Sequence, residues 1–273
     1  MTGWDQYVQL VQVNTPSLVA AAALAVAASI VGVFVLLRQE ALLALALPQA
    51  VAVGAAVGMR ADWVHPVIPA LASAGVALLV VSWSRMRHAS HLLLPVLYVG
   101  GLSISVLIIT NSAAHLHEVQ HLLSGADVFV TETEAWWAAA ILPMLGILCA
   151  VLWRRWLLLA QNPTAARLAG LHPPRWEALF LFLLAAMVVF GTSTSGILMV
   201  LAMLFLPASA ALPWTRRIPA TLIASIVIGL TLLAAGFVLS VEMEWPLSQS
   251  VGGVGFVGVL ASHGLSAILP IGK

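Results

Sequence analysis

Charge is what this sequence has least of. Only 8% of the 273 residues are Asp, Glu, Lys or Arg, against 62% hydrophobic, and that balance excludes a soluble globular domain, in which about a quarter of the residues are charged. The chain is therefore an integral membrane protein. Cysteine is nearly absent as well: the single Cys149, set in an apolar run, excludes a disulfide framework within one chain. No Gly-x-x-x-x-Gly-Lys-Ser/Thr phosphate loop occurs, the only Gly-Lys pair being Gly272-Lys273. The chain does not bind ATP by that device, so any uphill transport must draw on an ion gradient or on a separate ATPase subunit. A net charge of +1 offers neither nucleic acid nor an acidic soluble substrate a surface. Residues 1–16 contain Asp5 and no Lys or Arg, the wrong flank for a cleaved secretory signal, so the first apolar helix is expected to be retained. No composition shift, low-complexity tract or linker divides the chain. It is expected to form one transmembrane domain over residues 1–273.

What is abundant is apolar sequence in lengths near the roughly 20 residues that cross a bilayer as a helix. The predicted fold is an all-α polytopic membrane protein with spans near 17–37, 41–59, 64–83, 92–110, 135–153, 177–191, 195–212, 218–240 and 250–270. The pair at 177–212 reads as two short helices joined at Gly191-Thr192-Ser193-Thr194-Ser195-Gly196, or as one overlong helix, which would leave eight. Charge favours two, because two passages keep Arg216 and Arg217 on the same side as Arg154 and Arg155. With nine spans and the amino terminus outside, Arg38, Arg85, Arg87, Arg154, Arg155, Arg167, Arg175, Arg216, Arg217 and Lys273 lie inside and only Arg60 outside, as the positive-inside rule requires. Asp5, Asp62, Glu118, Asp127, Glu132, Glu134, Glu242 and Glu244 fall outside, Glu40 and Glu177 inside. The tryptophans Trp63, Trp83, Trp136, Trp137, Trp153, Trp156, Trp214 and Trp245 fall at predicted span ends and read as an interfacial belt. Pro48, Pro69, Pro95, Pro143 and Pro207 sit in or at the ends of spans, where they kink helices.

The chain is organised around the polar stretch from Gln161 to Arg175, the longest such interruption that also carries several positive charges. Asn162-Pro163 can start a short helix, Ala165 to Ala169 can continue it, and Gly170 followed by Pro173-Pro174 must stop it. A short helix at 162–170 beneath a membrane domain is a handle for a soluble partner.

Two other patterns carry chemistry. His117-Glu118-x-x-His121 places two imidazoles one helical turn apart, able to hold zinc, with Glu118 beside them as a base; with His115 it forms a candidate metal cluster on the outer side. This opens the reading of a membrane zinc metalloprotease, beside the plainer one of a polar helix end. Gly191-Thr192-Ser193-Thr194 resembles the nucleophile turn of an intramembrane serine protease, with His263 as its base, although small hydroxyl residues also satisfy backbone groups freed at a turn. His65, His88, His91 and His172 read as solvated loop residues.

Three stretches resemble the membrane permease subunits of bacterial ABC importers for zinc, manganese and iron. Val33 to Leu43 followed by Ala46-Leu47 and Ala50 is similar to that family's first cytoplasmic turn and second span. Leu122-Leu123-Ser124-Gly125 is similar to its Leu-Leu-Phe-Gly element. Residues 162–171 are similar to its coupling segment and precede Gly196 to Ala210, which resembles its next helix ending in Leu-Pro-Ala. The sequence departs from the family where an Asp and a His of the second span are associated with the metal path: the same place reads Leu45-Ala46-Leu47-Pro48-Gln49-Ala50. The acidic start of the coupling segment is replaced by Asn162-Pro163. The resemblance implies a multi-pass permease of the bacterial inner membrane that is not itself an enzyme. It would pair with a second copy, with ATPase subunits on the cytoplasmic face and with an extracytoplasmic substrate-binding protein. Asn162, Pro163, Ala166, Arg167 and Gly170 would contact the ATPase. No permanently bound cofactor is implied; zinc, manganese or a metal chelate would be cargo. Since a bare divalent cation is prohibitively costly in hydrocarbon, the pathway must offer polar groups, and Gln49, Ser103, Ser105, Thr110 and Asn111 are candidates beside the outer His115, His117, Glu118 and His121.

Overall fold

The computed structural model describes residues 15–61, 67–86, 90–110 and 132–268. All secondary structure among them is helical: α1 (Thr15–Leu37), α2 (Ala41–Arg60), α3 (Val67–Met86), α4 (Ser90–Thr110), α5 (Glu132–Val151), α6 (Trp153–Gln161), α7 (Pro163–Leu168), α8 (Pro173–Ala211), a 3-10 turn (Leu212–Trp214), α9 (Ile218–Met243) and α10 (Leu247–Ile268). Helices thus stand where apolar runs predicted them. Length and apolarity alone qualify Thr15–Leu37, Ala41–Gly58, Pro173–Trp214 and Ile218–Met243 to cross a bilayer, with the bent pair Ala135–Val151 and Trp153–Gln161 a fifth, among the described residues. The remaining predicted spans at 64–83, 92–110 and 250–270 coincide with α3, α4 and α10.

α1 explains the arrangement of the rest. Its 23 residues are apolar on every side and rich in Ala and Val, so it has no face to give to solvent and is buried by neighbours all round. α5, α8 and α9 pack against it. In a bilayer, lipid competes with protein for apolar contact, so close approach of backbones decides packing. Gly32 accordingly lies against the Leu204 backbone of α8, Gly146 of α5 against Ala27, and Gly229 of α9 against Ser29 and Pro207. Ser225 Oγ donates to the Ser29 carbonyl across 2.9 Å, fixing α9 on α1. A second group forms where α2 packs on α3 and α4.

The pair of helices expected at 177–212 takes a different form. One helical stretch runs from Pro173 to Ala211, interrupted at Gly196 with φ 79° and ψ 165°, a region open in practice only to glycine. Its neighbours reveal that the chain reverses there. Phe180 lies under Arg38 at the end of α1, a Cβ on Gly191 would stand 2.8 Å from both Leu24 Cδ1 and Val200 Cγ2, and Leu204 is back beside Gly32. In a straight helix residues 191 and 200 would be about 13 Å apart. α8 is therefore a hairpin of two arms that enter and leave the bundle at one end. The expected turn over 191–196 shrinks to a single residue because hydroxyls carry the helix through it: Thr194 Oγ1 donates to the carbonyls of Phe190 (2.9 Å) and Gly191 (3.3 Å), and Ser193 Oγ to that of Phe190 (3.1 Å).

Candidate functional site: the helix platform at one end of the bundle

α5 ends at Val151 and the chain bends by 58° into α6. α6 is amphipathic, since Arg154 and Arg155 are exposed while Trp156 is fully buried. The Trp156 indole meets Trp176 and Phe180 edge-on, both with ring centroids 5.5 Å away. Arg155 lies 4.6 Å over Trp176 and Arg38 4.5 Å over Phe180, each a cation held against a ring face. Arg38 also pairs with Glu40 at 3.3 Å across the tight α1–α2 turn, where Gln39 adopts a left-handed φ of 58°. The result is a continuous layer running from α6 through the first arm of α8 to the α1–α2 turn. The sequence reading of Trp156 as part of an interfacial belt is corrected here: it is a core residue. Trp136, Trp137 and Trp245 are exposed at helix ends, as a belt requires.

α7 projects from this layer, and every feature of its six residues is local chemistry. Asn162 Oδ1 accepts from the Ala165 N–H at 2.9 Å, and Pro163 fills the first helical position, whose N–H would lack a partner in any case. At the other end the Leu171 N–H bonds the Ala166 carbonyl and the Gly170 N–H that of Arg167, both at 3.0 Å, with Gly170 at φ 78°. That is the Schellman arrangement, which needs a left-handed residue where Gly170 stands. Ala166 is buried against the platform while Arg167, Leu168 and Gly170 face out. Leu168 is 87% exposed, an apolar side chain offered beside a cation. The start anticipated at Asn162-Pro163 and the stop anticipated at Gly170 are present; the protruding Leu168 was missed.

Gln49 is buried at mid-helix in α2, where Gly101 of α4 lies against it: a Cβ there would approach Gln49 Cβ to 3.0 Å. Its amide oxygen has no hydrogen-bond partner among the described residues. Ser103, two residues beyond Gly101 and so on another face of α4, is exposed and donates to its own helix at the Val99 carbonyl (2.8 Å), while buried Ser105 donates to Leu102 (2.8 Å). Thr110 ends α4. Asn111, His115, His117, Glu118 and His121 lie outside the described residues, as does Leu122 to Gly125. Among the described residues no three His, Cys, Asp or Glu side chains cluster as a metal site would require. Ser193 and His263 are not joined: the hydroxyl donates to Phe190 and the imidazole Nδ1 lies 3.1 Å from the Val259 carbonyl.

The sequence pattern of the ABC 3 transport family matches residues 11–261. The chain belongs to that family. Among its relatives, the manganese transport system membrane protein MntC of Halalkalibacterium halodurans is 25% identical over 238 residues, covering 86% of this chain and 81% of its own length. A probable iron transport system membrane protein of Haemophilus influenzae is 28% identical over 136 residues, half of this chain and 47% of that one. In fold the chain is similar to PsaBC from Streptococcus pneumoniae, solved in complex with Fab, with a TM-score of 0.83, 18% identity and 94% of both chains covered. It is also similar to an inward-facing putative metal-chelate type ABC transporter, with a TM-score of 0.63 at 16% identity over 90% of this chain and 85% of that one. Membership of the ABC 3 transport family and the apolar helices make this a multi-pass bacterial membrane protein. Neither protease reading draws support from these likenesses.

Proposed function

We propose that this chain is the permease subunit of an ATP-driven importer of a divalent transition metal, zinc or manganese, or of a metal chelate, in the bacterial inner membrane. It catalyses no reaction itself; a separate ATPase binds α7, and an extracytoplasmic protein delivers cargo to a pair of permease copies. The observation that carries this reading is α7 itself: a doubly capped, protruding helix presenting Arg167 and Leu168, in a chain of the ABC 3 transport family. The relatives named for manganese and iron transport support the class of cargo.

The orientation follows from charge. Arg38, Arg154, Arg155, Arg167, Arg175, Arg216 and Arg217 belong to helix ends on the α7 side of the bundle, and Glu242 and Glu244 to the far end of α9. Basic residues mark the cytoplasmic side, which puts α7 in the cytoplasm and the amino terminus outside. A push on α7 moves α6, to which only Asn162 joins it. Trp156 of α6 bears on Phe180, so the displacement passes to the first arm of α8 and, through Arg38, to the α1–α2 turn. Gln49, Ser103 and Asn111 line the pathway in this reading, with His115, His117, Glu118 and His121 gathering cargo at its outer mouth.

The test is purification in mild detergent from the native membrane, with mass spectrometry for a stoichiometric partner carrying a phosphate-loop ATPase sequence. Wild type should retain it and Arg167→Glu should lose it while keeping the same thermal midpoint. Equal retention by both would show that α7 is not the docking element, and Glu118→Ala would then be assayed for loss of proteolysis.

A further inference from the structure

We infer that the groove between the second arm of α8, α9 and α10 is a binding site for one anionic phospholipid of the cytoplasmic leaflet. The space measures about 370 Å³ and is lined by Trp214, Leu232, Gly255, Gly258, Ser262 and Leu265 among others, a volume within the range of about 300–1,000 Å³ typical of small-ligand sites. Of the two lining glycines of α10, Gly255 lets Leu206 pack close against the helix, whereas Gly258 leaves the space open. Beyond a Cβ on Gly258 the nearest atom is Leu232 Cδ2 at 3.9 Å, so an ordinary side chain there would fill the groove rather than clash.

The polar groups in the wall are already spent. Trp214 Nε1 donates to Ser262 Oγ at 2.7 Å, and that hydroxyl donates to the Ala210 carbonyl at 2.8 Å. A guest inside the groove must therefore be apolar. At the end where Trp214 sits, the chain continues through Thr215 into Arg216 and Arg217, both exposed and without an acidic partner among the described residues. Thr215 holds this connection in place, its hydroxyl donating to the Ala211 carbonyl (3.1 Å) and bonding Thr221 Oγ1 (2.7 Å). An apolar slot whose wall residue Trp214 is followed two and three positions on by exposed cations matches an acyl chain with a negatively charged head.

Charge decides which lipid. Bulk lipid tails are as apolar as the groove, so burial of the chain alone gives little preference over the surrounding bilayer. Each basic residue near the surface of an anionic leaflet contributes about a fivefold preference, on the order of twentyfold for the pair. The leaflet assignment rests on the orientation proposed above, whereas the site itself is tested without any ATPase, so the two can fail separately.

The experiment is native mass spectrometry of the full chain taken from nanodiscs of nine parts phosphatidylcholine to one part phosphatidylglycerol. Wild type should carry one phosphatidylglycerol per chain. Arg216→Gln with Arg217→Gln should reduce its preference over phosphatidylcholine on the order of twentyfold. Gly258→Leu should abolish the retained lipid of either head group while Gly258→Ala keeps it; if the leucine variant does not fold, Ala261→Leu fills the same groove from an exposed position. Equal retention of both lipids by wild type overturns the inference. So does phosphatidylglycerol surviving in a folded, groove-filled variant, and so does disulfide linkage of Gly258→Cys to a second copy, which would make the groove an interface between copies.

Discussion

Replacing Gly170 by alanine isolates the backbone contribution of the α7 cap. Nothing lies within 4 Å of a Cβ at this position, so the substitution creates no clash and removes no packing. What remains is the left-handed conformation, φ 78°, which costs an L-residue about 1–2 kcal/mol. At about 1.4 kcal/mol per tenfold, that corresponds to a shift of about 5–30-fold away from the capped form. A helix of six residues is marginal in isolation, so the penalty falls on the local equilibrium instead of being absorbed by the bundle. If the ATPase recognises the capped helix, its apparent Kd rises by the same factor. The assay is a titration of purified ATPase subunit onto the permease in nanodiscs, with the thermal midpoint measured in parallel. Gly170→Ala should weaken binding about 5–30-fold with an unchanged midpoint, and Gly170→Asn should recover most of the loss, since asparagine tolerates this conformation. Wild-type affinity in a folded alanine variant would refute the reasoning, because recognition would then not depend on the terminated helix.

Trp156→Ala should destabilise the bundle by about 3–5 kcal/mol, the range for emptying a large buried aromatic site; Trp156→Phe should retain most of it, and the fraction surviving graded heating before gel filtration distinguishes them. Gln49→Met removes a buried carbonyl oxygen that has no partner among the described residues and should raise stability by about 1–3 kcal/mol while lowering uptake of labelled manganese or zinc into vesicles; unchanged uptake would remove Gln49 from the pathway.

The helices were legible because their signal is local: an apolar run near 20 residues needs no partner to declare itself. The α7 segment was legible for the same reason, since Asn162, Pro163 and Gly170 each act on backbone groups within five residues. The rest depended on distance in sequence. Trp156 looks like any span-end tryptophan until Phe180 and Trp176 close over it. Gln49 reads as one polar residue in an apolar helix until Gly101 of another helix presses against its stem. The position of the break in α8 turned on whether Thr194 would cap a turn or bond back along its own helix, a choice that the side-chain type leaves open and the hydrogen bonds at Phe190 decide.

The reversal at Gly196 has a consequence for how this chain is counted. Gly191 in the first arm is level with Leu24, about 13 Å along α1 from Thr15, and the five residues from there to Gly196 carry the tip only about 7 Å further, so the hairpin need not emerge on the far side. A hairpin that goes in and returns, and a pair of helices that cross and recross, leave the same parity: every segment after Ala211 keeps its side, and every arginine keeps its leaflet. Reporter fusions at the helix ends would score the two alike. The difference is one of depth, and an accessibility probe at the outward-facing Ser193 reads it directly, since a cysteine there reacts with a membrane-impermeant reagent from outside only if the tip reaches water.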